Sequence, residues 1–96
     1  MMQLKVYRDA LEIVGGVARL GERIGRKDAD LARQLRRASM SVPLNIAEGE
    51  NASGGNRRAR FDTAIGSAKE SVACLEVAVA VGYLPRADID GSVNGF

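Results

Sequence analysis

The sequence predicts an all-α protein: three helices followed by a short C-terminal tail. Apolar residues recur at helical spacing over long stretches, interrupted only by short Gly, Asp, Asn and Ser clusters. Aromatic residues are 4% of the chain, with no Trp, so the core is built from Ala, Val, Leu and Ile, which suits closely packed helices better than an aromatic platform for bases. Ninety-six residues, 46% of them apolar, make one small domain spanning 1–96, of marginal stability unless chains associate.

The first helix is expected from about Gln3 to Ile24. It carries two apolar stripes, Leu4, Tyr7, Leu11, Val14 and Ala18 in one, Val6, Ala10, Ile13, Val17, Leu20 and Ile24 in the other. Together they cover more than half of the circumference, so this helix needs two neighbours. The polar wedge left over includes Lys5, Asp9, Glu12, Arg19, Glu22, Arg23 and Arg26. "GRKDAD" is the turn, with Gly25 as the stop and Asp28 or Asp30 as the cap of the next helix.

The second helix is expected over 29–49 and contains Pro43. A proline there removes one backbone donor and crowds the Ser39 carbonyl, at a cost of about 3 kcal/mol in an exposed helix. The expectation is a bend that follows a curved core, with Ser39 or Ser41 bonding the freed carbonyls. Leu31, Leu35, Ala38, Val42, Ile46 and Gly49 form the inner stripe. On the opposite side Arg33, Arg37, Met40 and Leu44 are the expected oligomer face. Gly49 and "NASGGN" close this helix, with Ser53 or Asn56 capping the third.

The third helix is expected over about 56–81. Phe61, Ile65, Ala68, Val72, Leu75, Val79 and Gly82 repeat as a heptad, and "VACLEVAVAV" is apolar nearly all round, so it should be covered on every side. In the tail, 86–96, Gly91 and Gly95 argue against a long helix.

Net charge is only +2, but it is uneven. Residues 19–60 hold ten basic side chains against five acidic ones, whereas residues 61–96 hold two against five. Such asymmetry marks either a polyanion-binding surface or solvated helix faces beside an acidic end. Enzymatic readings fare poorly. With no His, the usual general base and the commonest transition-metal ligand are both missing. "GGVARLGERIG" lacks the preceding strand that a phosphate loop needs, and Ser39, Ser41 and Ser67 have no evident base. No catalytic residue, metal or cofactor is expected. Asn45, Glu48, Ser67 and Glu70 are expected to form a structural polar network, with Glu48 ion-paired to Arg36 or Arg37 within or between chains. The single cysteine, Cys74, and the absence of a leader or a membrane-length apolar run suggest a cytoplasmic protein.

"QLRRASMSVPLNIAEGE", with "AIGSAKE" and "VGYLP" further on, resembles the four-helix-bundle family first noticed as proteins encoded in intervening sequences of bacterial 23S ribosomal RNA genes. That family also includes the accessory variability determinant of diversity-generating retroelements. The resemblance runs from about Leu4 to Pro85, and Ser41-Val42-Pro43 followed by Asn45-Ile46-Ala47-Glu48-Gly49 is its most specific part. It implies an antiparallel helical protomer assembling into a ring, commonly a pentamer, with a basic surface. In the retroelement members it further implies binding to nucleic acid and to a reverse transcriptase. A long fourth helix, usual in the family, is not expected here.

Two functions follow as alternatives. One is a non-enzymatic accessory protein that binds RNA or DNA through Arg19, Arg23, Arg26, Arg36, Arg37, Arg57, Arg58 and Arg60 gathered on a ring. The other is an oligomeric scaffold for protein partners. Arg36 and Arg37 are equally suited to an interface.

Overall fold

The structure, a computed structural model, describes residues 4–93, with side chains for 5–90. Four helices follow one another: α1 (Leu4–Gly25), α2 (Ala29–Asn51), α3 (Gly54–Ala80) and α4 (Arg86–Val93). Gln3, residues 94–96 and the side chain of Leu4, for which the sequence raises expectations, lie outside the described residues.

Connections of three and two residues turn the chain back on itself, so α1, α2 and α3 run antiparallel, with α2 packed along both neighbours. At 27 residues α3 is about 40 Å long, nearly the 43 Å length of the molecule. Asp28 is the cap of α2: its carboxylate accepts the Leu31 N–H at 2.9 Å, and its second oxygen accepts the Tyr83 hydroxyl at 3.2 Å. Asp30, the other possibility, pairs with Arg33. Ser53 occupies the capping position of α3, but its side chain makes no capping bond, and Asn56 lies inside the helix. At the far end of α3, Gly82 takes φ +85°, and the N–H groups of Gly82 and Tyr83 bond the carbonyls of Val79 and Ala78. This is a Schellman closure, and a side chain at residue 82 would be strained there.

The core has two parts. At one end Val17, Leu20 and Ile24 of α1 meet Leu35 of α2 and Cys74, Leu75 and Ala78 of α3, together with Leu84 and Ile89. At the other end Ala10, Val42, Ile46 and Ala64 pack together, with Tyr7, Phe61 and Ala68 around them. Of the two stripes on α1, the second supplies the buried residues Ala10, Val17, Leu20 and Ile24, with Ile13 half-covered and Val6 exposed. The other leaves Leu11 and Ala18 exposed and Tyr7 and Val14 half-covered.

The protomer departs from the sequence expectations at several points. The tail adds a fourth helix to the three expected, though a short one: Arg86–Val93 makes two turns, not the long helix that Gly91 argues against, and its Ile89 is fully buried on an otherwise uncovered core end. On α3 the inward row is Ala64, Ser71, Cys74, Leu75 and Ala78, not the heptad, in which Leu75 alone is fully buried and Ile65 is exposed. Small residues face inward because α2 lies close, and the hydroxyl of Ser71 donates to the Ser67 carbonyl at 2.9 Å, so its burial leaves no orphan group. Within the protomer "VACLEVAVAV" leaves Ala73, Val77, Ala80 and Val81 exposed, so any cover for that side has to come from outside the chain. Finally, Gly49 does not end α2, which runs on to Asn51; Gly49 is instead buried beneath the Phe61 ring.

Helix α2 passes through the buried Pro43 without a break. The serine hydroxyls do not relieve the Ser39 carbonyl. Ser39 Oγ donates to the Arg36 carbonyl at 3.2 Å, and Ser41 Oγ is engaged by Asn45 and Ser67.

Candidate nucleic-acid interface

The basic side chains differ sharply in what already holds them. On α1, Arg23 bonds Asp88 of α4 at 2.7 Å, fastening the short helix to the bundle. At the start of α3, Arg57 reaches Glu50 at 3.4 Å while its guanidinium lies over the Phe61 ring, 5.2 Å from the centroid. That arrangement joins a carboxylate, a cation and an aromatic face in one stack. Arg60 pairs with Glu48 at 3.0 Å. Within the protomer Glu48 therefore meets Arg60 and not Arg36 or Arg37, because its exposed position near the end of α2 faces the first turns of α3. Among the described residues, Arg19, Arg26, Arg36, Arg37 and Arg58 make no ion pair and all are exposed. These five keep their full charge for an outside partner.

Placement matters as much as pairing. Arg57, Arg58 and Arg60 lie near the Tyr7–Phe61 end of the bundle, whereas Arg19, Arg23 and Arg26 lie toward the Ile24–Ile89 end. Arg36 and Arg37 stand on α2 between them. The eight arginines named from the sequence therefore do not form one patch on a single protomer. Arg33, Arg37, Met40 and Leu44 do line up along the outer side of α2, all exposed.

The polar residues named from the sequence separate into three groups. Asn45 Nδ2 donates to both the carbonyl and the hydroxyl of Ser41, each at 2.9 Å, and Ser67 Oγ donates to Ser41 Oγ at 2.8 Å. This chain ties α2 to α3 through Ser41, a link with no signature in the sequence beyond its place one turn before Asn45. Glu70 borders a polar groove between α2 and α3 with Arg37, Gln34, Ser41 and Ser67. Glu48 stands apart with Arg60. Sequence reasoning also missed Glu50, Asp88 and Tyr83 as partners, because each of those pairings joins residues from different elements, which spacing along one helix does not reveal. It missed Phe61 as well, although Arg57 and Phe61 are four residues apart on α3, a spacing that helical periodicity does show.

Chemistry beyond binding finds little footing. Cys74 is buried in the core, and that burial, with a smaller contribution from the negative charge of Glu70, raises its thiol above the ordinary range. A thiol held protonated away from solvent is a poor nucleophile. Among the described residues no three His, Cys, Asp or Glu side chains gather as a metal site, and no helix is long and apolar enough to cross a membrane.

The fold and surface thus define an antiparallel helical bundle whose notable groups are unpaired surface arginines and exposed aliphatic side chains. The chain belongs to the 23S rRNA-intervening sequence protein family, whose model matches residues 2–94. Among solved structures it is similar to a protein of unknown function from the S23 ribosomal protein family of Bacteroides thetaiotaomicron, with 22% identity and a TM-score of 0.85. That alignment covers 94% of this chain and 86% of the other. At such identity the likeness speaks for the fold alone. No curated protein matches in sequence.

Proposed function

We propose that the protein is a non-enzymatic, nucleic-acid-binding accessory protein of the cytoplasm that acts as a basic homo-oligomer, a pentameric ring by family resemblance. The observation that carries this reading is the set of five exposed arginines without ion pairs in the basic middle of the chain. One protomer spreads them too widely for a strong site. Repetition around an oligomer multiplies weak phosphate contacts by raising their effective concentration. Family resemblance further suggests a reverse transcriptase as protein partner.

Arg19, Arg26 and Arg58 are the arginines to change, because replacing Arg57 or Arg60 would strand Glu50 or Glu48. In a mobility-shift assay the wild type is expected to bind DNA or RNA at low salt. For DNA, log K should fall against log salt by about 0.9 per phosphate neutralised. The triple change to Gln should weaken binding and flatten that slope by about 0.9 for each phosphate that is no longer neutralised. Absence of wild-type binding at low salt, or an unchanged slope, overturns the reading in favour of a protein scaffold.

Pro43 gives a second prediction. Pro43→Ala returns an N–H toward the Ser39 carbonyl and improves helix propensity, yet removes a buried ring that shapes the packing of α2. Weaker self-association is the expected result in light scattering. Unchanged assembly with a higher melting temperature would show the proline to be incidental to it.

A further inference from the structure

Two apolar surfaces remain uncovered on the protomer, and they share no residue. One is a groove of about 460 Å³ between α1 and α2. Small residues form its floor, Ala18, Gly21 and Gly25 facing Ala29 and Ala32, with the exposed Met40 near one end. The backbones approach closely there, since a Cβ on Gly25 would lie 3.5 Å from that of Ala32. Glu22 rises on one wall, Arg33 and Arg36 on the other. The second surface is a ridge on α3, the single four-residue row Ile65, Lys69, Ala73, Val77 and Val81, every member exposed, with Glu76 beside it. Over sixteen residues this row extends about 24 Å.

The surfaces are complementary in shape and in charge. A ridge of Ala and Val is narrow enough to lie in a groove floored by Gly and Ala, as helix ridges pack into grooves. Glu22 and Arg36 in the groove have no ion-pair partner among the described residues, and neither have Lys69 and Glu76 at the ridge. Each surface thus carries one unpaired acid and one unpaired base. We propose that a second copy of this chain seats its α3 ridge in the α1–α2 groove, giving a head-to-tail interface. This rests on the oligomeric reading above and adds which surfaces meet. Because groove and ridge are different patches, each chain uses one toward each neighbour, and the rotation between neighbours decides whether a ring closes.

Mixing tests this directly. A ridge variant, Val77→Arg with Val81→Arg, keeps its groove; a groove variant, Ala18→Glu with Met40→Glu, keeps its ridge. Light scattering should find the wild type above monomer mass, each variant alone at monomer mass, and their equimolar mixture at twice that mass. Either variant assembling like the wild type, or a mixture that stays monomeric, overturns the head-to-tail interface while leaving the oligomeric reading intact. A wild type that is monomeric at micromolar concentration overturns both. Circular dichroism must show unchanged helicity. Should a variant lose it, the surface reversals Glu76→Arg and Arg36→Glu replace them: each alone should be monomeric, whereas their mixture, in which every ridge again meets a groove of opposite charge, should assemble beyond twice the monomer mass, and a mixture that stays monomeric overturns the interface.

Discussion

Ile89→Ala is expected to destabilise the protein by about 2–4 kcal/mol, the range for truncating a fully buried aliphatic side chain. In a chain of 96 residues each kcal/mol shifts the melting temperature by about 4–8 °C, so the fall should be at least about 8 °C, measured at fixed protein concentration. The large effect has a structural origin. Ile89 has no exposed surface and closes the end of the core formed by Ile24, Leu35, Leu75, Ala78 and Leu84. Helix α4 has only eight residues, well short of the ~12–15 at which an isolated helix becomes even marginal. Its remaining tie, Arg23 to Asp88, is partly exposed and contributes about 1 kcal/mol at most. Hydrogen exchange should therefore show 86–93 losing protection first, followed by the end of α1. A melting temperature within about 2 °C of wild type would mean that α4 adds nothing to the core.

Gly49→Ala should also destabilise, against the helix propensity that favours Ala over Gly by about 1 kcal/mol. A Cβ at residue 49 would fall 2.5 Å from Phe61 Cε1 and 2.9 Å from Cδ1, distances that require the ring to move. Phe61 is poorly placed to do so: Arg57 lies over its face, and it packs against the Ala10, Val42, Ile46 and Ala64 cluster. Forced repacking of this kind costs about 1–3 kcal/mol, so the net loss should be up to about 2 kcal/mol. The decisive control is the double-mutant cycle with Phe61→Ala. Without the ring, Gly49→Ala should change sign and stabilise by about 1 kcal/mol, its intrinsic propensity. If it destabilises equally in both backgrounds, the close approach of Phe61 is not the cause.

The helices and their order were legible in the sequence because each rests on local chemistry. Apolar spacing, a cap at Asp28 or Asp30, Gly25 at the first turn and the "NASGGN" break, placed two residues early at Gly49, all act within a few residues of themselves. The motif from Ser41 to Gly49 carried the family, and Asn45 and Ser67 were visible as polar residues on facing helices, but the Ser41 hydroxyl that joins them was not. Less visible was which apolar stripe would be chosen where a helix has two. On α3 the sequence pointed to the larger residues Ile65 and Val72, whereas the close approach of α2 selected Ala64, Ser71 and Ala78.

By itself, then, the sequence determined the all-helical class, the three long helices, the family and the uneven basic charge, since each is set by residue type and short-range spacing. Only the tertiary structure decided that 86–93 folds as a helix, that Gly49 serves Phe61 and not a helix stop, and which arginines are already neutralised. These outcomes depend on side chains far apart in the chain. Ile89 meets Ile24 across 65 positions, and Asp88 takes Arg23 from the same distance. A burial or ion-pair energy exists only once both partners have been brought together, and packing brings them together where local propensity does not.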